Sequence, residues 1–146
     1  DSSKLVADFH NTQKLVAAIC HGVVLAARST STPFVQGSMP CQSILYGHRV
    51  TALLKSQELA AWALTVLWLK DYYRTYPETV ESEVRRALGP QGEFISGPPP
   101  MMRDRPEKLS RGFVVCDQNL ITARWPGDAH QFAEAIVKYF SQPRHT

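Results

Sequence analysis

The sequence predicts an α/β domain, on two observations. Lys14 to Ile19 (KLVAAI) is a short apolar run with turn residues behind it and Cys-His-Gly ahead. That is the length and pattern of a strand buried on both faces, and such strands belong to parallel sheets covered by helices. Around it, segments follow in the order helix, strand, helix, strand, helix, helix, hairpin, helix. The 146 residues, 44% hydrophobic and 20% charged, suit a single domain, residues 1–146, with its own core.

Each element has its own reason. Leu5, Val6 and Phe9 stand at helical spacing before Asn11 and Thr12, which reads as the tail of an amphipathic helix whose beginning is not in view. After the strand Lys14–Ile19, Gly22 to Ala27 follows without a linker, and Val23, Leu25, Ala26 and Ala27 suit a packed helix. Residues 29–43 carry Ser, Thr, Gly and Pro at loop density. A strand is expected around Arg49 to Leu53, after a turn at Tyr46-Gly47-His48. Ser56 to Lys70 is the strongest helix: Ser56 suits an N-cap, and Leu59, Trp62, Ala63, Val66, Leu67 and Leu69 cover a broad face expected to be well buried.

Glu78 to Leu88 spaces Val80, Val84, Ala87 and Leu88 as a short helix, stopped by Gly89-Pro90. Gly92 to Pro106 contains GPPPMMRDRP, which no regular element tolerates, since each proline lacks a donor and restricts its predecessor. Gly112 to Cys116, Asp117-Gln118-Asn119 and Leu120 to Ala123 read as a hairpin, and Asp128 to Phe140 as the last helix, with Asp128 its N-cap. The stretches 29–43 and 89–111 are thus surface loop insertions in one domain.

The formal net charge of +3 comes from interspersed charges, so no nucleic-acid partner is expected. The three cysteines, Cys20, Cys41 and Cys116, show no CxxC or Cys/His ligand spacing, which favours neither a metal site nor a disulfide framework and suits a reducing, cytoplasmic setting. The apolar run Leu59 to Leu69 falls short of the roughly 20 residues of a membrane span, so no membrane partner is expected. The first residue is Asp1, without Met or a signal-like segment, and a missing upstream portion is expected.

The chemistry gathers at Cys20-His21-Gly22, where a strand must turn sharply into a helix. A cysteine there is displayed at the carboxyl edge of the sheet, facing the positive end of the next helix. The His21 and Gly22 amides are candidate oxyanion donors, the thiol pKa is expected to be low, and Gly22 is expected to let backbones approach closely. The alternative is a small buried thiol. His10, His48, His130 and His145 read as solvated or capping histidines, and Trp62, Trp68, Tyr72, Tyr73 and Tyr76 as core. Met101-Met102 reads as an exposed loop.

AAICHG, then YGHRVTALLKSQEL, then FVVCDQNLITARWPGDAHQFAEAI resembles the ThiJ/PfpI superfamily, the cysteine branch of the class I glutamine amidotransferase-like fold. The resemblance runs from about Lys4 to Phe140. It implies a flavodoxin-like three-layer sandwich with Cys20 as the nucleophile on its elbow and His21 as the adjacent histidine. It also implies an N-terminal half that this chain lacks, bringing further strands, a Gly-Gly oxyanion loop and often a glutamate. A second chain or a missing N-terminal segment is therefore expected to complete the sheet, in a homo-oligomer.

Where members place a triad acid, Glu58 is the nearest carboxylate here, though it also reads as a first-turn helix residue. The turn Thr122-Ala123-Arg124-Trp125-Pro126-Gly127 matches one that lies near the active site or a subunit contact, with Arg124, Pro126 and Gly127 its marked residues. Cys116 stands where an acid is usual. The activity implied is cysteine-dependent attack on a small carbonyl compound or an amide or peptide bond, glyoxalase III-like or hydrolase- and amidotransferase-like, with no metal or organic cofactor. The other readings are a redox-sensing or chaperone-like stress protein, and one piece of a split or proteolysed protein, inactive alone.

Overall fold

A computed structural model describes residues 1–30, 42–70 and 77–142. Most of the loop 29–43 with Cys41, and Tyr72, Tyr73, Tyr76 and His145, lie outside the described residues. In chain order the elements are α1 (Ser2–Asn11), β1 (Val16–Ile19), α2 (Gly22–Arg28), β2 (Arg49–Val50), α3 (Lys55–Leu69), α4 (Val80–Leu88), β3 (Glu93–Phe94), β4 (Val114–Asp117), β5 (Leu120–Ala123) and α5 (Ala129–Ser141). In this stretch the Asp1 side chain accepts from the Ser3 amide at 3.1 Å at the head of α1. One expectation is corrected at once. A two-residue strand, Glu93–Phe94, forms just ahead of the prolines, where no regular element was expected.

The main sheet runs β1-β5-β4, with β1 parallel to β5 (Val16 opposite Leu120, Ile19 opposite Ala123) and β4 antiparallel to it across the Gln118-Asn119 turn. Strands β2 and β3 form a separate parallel pair. Side chains join the two sheets: the Thr51 amide donates to Thr122 Oγ1 (2.9 Å) and the Arg49 amide to Asp117 Oδ2 (2.7 Å). The Asn119 amide group donates to the carbonyls of His10 (3.0 Å) and Lys14 (2.9 Å), fastening the turn between α1 and β1 to the hairpin.

Alternation along the strands separates two faces. Val16, Ala18 and Leu120 join Val23, Val24, Ala26 and Ala27 of α2 and Val80, Val84 and Leu88 of α4 in one core. A fully buried valine or leucine of this kind stabilises by about 1.5–3 kcal/mol. Ile121 points the other way, towards Ala135 and Tyr139 of α5. Arg28 grips Glu83 with two hydrogen bonds (2.6 and 3.0 Å), clamping the end of α2 to α4. Helix α3 is not well buried, contrary to expectation: Leu64, Leu67 and Trp68 are exposed at 73%, 91% and 67%.

The proline-rich segment is pinned rather than loose. Arg124, directly after β5, and Asp128 are both fully buried and share two side-chain hydrogen bonds, Nε to Oδ2 at 3.0 Å and Nη2 to Oδ1 at 2.9 Å. The Arg124 Nη1 reaches the Pro98 carbonyl, its guanidinium lies 5.0 Å from the Phe113 ring centroid, and the Phe113 amide donates to Asp128 Oδ1 at 3.0 Å. With its carboxylate so occupied, Asp128 makes no side-chain cap to α5. The capping acceptor is Asp104, whose Oδ2 takes the Gln131 amide at 2.7 Å.

Asp128→Ala is expected to cost about 3–5 kcal/mol, because it leaves a buried guanidinium unpaired; urea unfolding measures it. A second expectation concerns acid. Burial first, and the edge-on His48 ring at 5.4 Å second, hold the His10 pKa below the ordinary histidine value. The unfolded chain then binds a proton that the folded chain resists, so stability falls as pH drops below about 6.5. In urea titrations at neutral and mildly acidic pH, His10→Gln should flatten that dependence.

Candidate active site

Strand β1 ends at Ile19, and the next residue takes the left-handed conformation: Cys20 has φ +58°. For a residue with a Cβ this costs on the order of 1–2 kcal/mol, so the surroundings must hold it. Two bonds do. The Cys20 amide donates to the Ala123 carbonyl at 3.0 Å, continuing the β1–β5 pairing by one residue, and the Cys20 carbonyl accepts from Val23 at 3.3 Å as α2 begins. The sharp strand-to-helix turn read from the sequence is therefore present, with the thiol partly exposed at its apex.

His21 follows in helical conformation as the residue capping α2, and its Nδ1 lies 3.4 Å from Cys20 Sγ. Sequence neighbours on an elbow need not touch, but these two do. Either atom can be the donor, according to which carries the proton. The expected low thiol pKa is not found. Burial pushes the Cys20 thiol up, a backbone hydrogen bond from His21 pulls it down, and the negative charge of Glu58 pushes it up again. Gly22 is also corrected: a Cβ built on it meets nothing within 4 Å, so no close backbone approach requires a glycine there.

Glu58 is buried, at 5% exposure, in the first turn of α3, and its Oε2 accepts from the Val80 amide at 3.0 Å. From the first turn of α4, Glu81 Oε2 in return accepts from the Lys55 amide at 2.9 Å. Each helix thus supplies the anion that satisfies the other's free N–H. Glu58 is brought near enough to Cys20 for its charge to be felt there, yet one of its oxygens is committed to α4.

In the turn Arg124-Trp125-Pro126-Gly127, the arginine is spent inside the fold on Asp128 and Pro98. Gly127 is demanded by packing, since an added Cβ would lie 2.2 Å from the Trp125 ring. The turn reaches the elbow through the backbone, because Ala123, which holds the Cys20 amide, immediately precedes it. That carbonyl is the positioning group the sequence reading missed, and an alanine oxygen has no sequence signature. Among the described residues no group of three or more His, Cys, Asp or Glu is placed to hold a metal ion. Among them, no helix is long and apolar enough to cross a membrane.

No protein-family model matches the chain, and no curated protein matches it at a significant level. Solved structures do. The 24 kDa rapid encystment protein of Francisella tularensis superposes with a TM-score of 0.66 at 21% identity, over 97% of this chain and 50% of that one. Glyoxalase III of Candida albicans superposes with a TM-score of 0.60 at 17% identity, over 93% of this chain and 47% of that one. The likeness is one of fold. The shared fold is of the mixed α/β kind that the ThiJ/PfpI-like resemblance implied, and this chain spans about half the length of the solved structures it matches.

Two substitutions check this geometry. Gly22→Ala has room and no positive φ to oppose it, so stability should be unchanged or rise by up to about 1 kcal/mol in urea unfolding. Glu58→Gln keeps an acceptor for Val80 and removes the charge, so the pH midpoint of Cys20 alkylation should move down. An unmoved midpoint would show that the Glu58 charge does not reach the thiol.

Proposed function

We propose that the chain carries the nucleophile half of a cysteine-dependent ThiJ/PfpI-type enzyme acting on small carbonyl compounds, in the manner of a glyoxalase III. The observation that supports it best is the elbow itself, where Cys20 is held at φ +58° with His21 Nδ1 3.4 Å from its sulfur. A strained backbone at one reactive side chain, fixed by bonds to β5 and α2, supports the reading of a nucleophile elbow. The fold shared with glyoxalase III directs the choice of substrate class towards 2-oxoaldehydes.

In this scheme the Cys20 thiol yields its proton to His21 Nδ1. The sulfur then forms a bond to the aldehyde carbon while the C=O π pair moves to oxygen. The His21 and Gly22 amides stabilise that oxyanion, and the proton held on His21 is delivered to it, closing a hemithioacetal. Glu58 tunes the thiol by its charge and orders the helices beside it.

The raised thiol favours a second reading, in which residues 1–146 alone are inactive and the elbow needs groups from outside this stretch to form the thiolate. Methylglyoxal consumption decides. Cys20→Ala and Cys20→Ser are expected to lower the rate at least about 100-fold, and wild-type activity to climb with pH through the alkaline range where the burial-raised thiol ionises. Equal rates for Cys20→Ala and wild type would overturn the proposal.

A further inference from the structure

We infer that the proline- and methionine-rich segment from Pro98 to Lys108 is a docking surface for an acidic polypeptide segment, one that sets Asp or Glu side chains beside apolar ones. Such a surface is independent of the chemistry proposed at Cys20.

The positive charge on this segment is unanswered within the chain. Acids hold cations elsewhere, as Asp8 holds Lys4, Glu93 holds Arg49 and Glu78 holds Arg86. Arg103, Arg105 and Lys108 are exposed, and among the described residues none of them has an acidic partner. An isolated antiparallel bridge sets Arg105 opposite Lys108. Like charges held opposite one another repel, and a carboxylate laid between them turns that repulsion into attraction. Asp104 does not supply it. Its side chain is buried and accepts the Gln131 amide, and that inward turn leaves its neighbours Arg103 and Arg105 facing out. In this segment Glu107 is the one exposed acid against three exposed cations.

Apolar side chains stand next to the cations. Met101 and Met102 are exposed at 85% and 55%, directly after three prolines. The unbranched thioether fits irregular contours, which is why methionine is over-used on surfaces that take varied partners. The backbone beneath them is already set. Arg124 holds the Pro98 carbonyl, the Met101 amide donates to the Pro99 carbonyl at 2.9 Å, and the Asp104 amide donates to the Gly127 carbonyl at 2.7 Å. With both ends fixed and prolines restricting the stretch between, little ordering remains to oppose binding.

The size of the patch selects the occupant. Anionic membranes are gripped by clusters of roughly four to eight Lys and Arg, and nucleic acids reward a longer basic stripe. Three cations interrupted by Glu107 and flanked by two methionines match a short acidic and apolar peptide instead. A second copy of this chain has less to offer, since on α5 the acid beside the exposed Val137, Glu134, is already paired with Lys138 at 3.5 Å.

Selection from a random-sequence peptide library displayed on phage, followed by fluorescence anisotropy of the winning peptides, tests this on the protein. The winners should carry Asp or Glu next to apolar residues, bind less tightly as salt is raised, and shift the methyl resonances of Met101 and Met102. Changing Arg103→Glu together with Arg105→Glu should weaken binding at least about 10-fold, whereas Arg103→Lys with Arg105→Lys keeps most of it. Met101→Ser with Met102→Ser leaves the charges in place and should weaken it as well. An unchanged urea midpoint in each variant shows that the fold is intact. No enrichment, winners without acidic residues, or equal binding by the charge-reversed protein would overturn the inference. Self-association, or binding to phosphatidylserine vesicles, that is tighter than peptide binding and lost in the same charge-reversed protein would overturn it too.

Discussion

The buried pair of Arg124 and Asp128 governs how the rest of this structure is tied together. Two charges removed from water are costly, and attraction repays the cost only when the remaining donors and acceptors are satisfied. Here they are: the guanidinium also holds the Pro98 carbonyl, and the carboxylate also takes the amides of Phe113 and Arg124. The pair therefore joins the end of β5, the proline-rich segment, the start of the hairpin and the approach to α5. The last residue of β5, Ala123, holds the Cys20 amide, so the elbow is built against the end of a strand whose exit is locked.

Position and reactivity are set by different physics at Cys20. Position comes from the backbone, through hydrogen bonds to Ala123 and from Val23 that overcome the unfavourable φ. Reactivity is a contest between burial and the Glu58 charge on one side and the His21 hydrogen bond on the other, and within this chain burial prevails. A thiol can be aimed correctly and still be largely protonated. What tips the balance in such a case is a further donor or positive potential at the sulfur.

Much of this was legible in the sequence, for physical reasons that also mark where legibility stops. The strand Leu120–Ala123 is buried throughout, whereas β1, expected to be buried on both faces, leaves Ala17 exposed and its other residues half-buried; the elbow stands out because the period changes at Cys20. Helix α3 misled because Leu59 to Leu69 carries no charge on any side, so its pattern cannot say which face is covered and which faces solvent. The strand Glu93–Phe94 is too short for a period. The spacing of Arg124 and Asp128 was visible, but not that Pro98 and Phe113 would close over them, nor that Asp104 would replace Asp128 at the head of α5, because those partners are distant in the chain. The thiol pKa was misjudged for the same reason, since burial is a property of the packed chain.

The mutual capping of α3 and α4 ties the fluctuations of two helices together. Neither can fray at its N-terminus without stripping the other of a hydrogen-bond acceptor, since Glu58 serves Val80 and Glu81 serves Lys55. The two ends therefore open as one cooperative unit or stay shut. Because one of the two carboxylates, Glu58, also adds its charge to the surroundings of Cys20, an opening of this helix pair would change the potential at the sulfur.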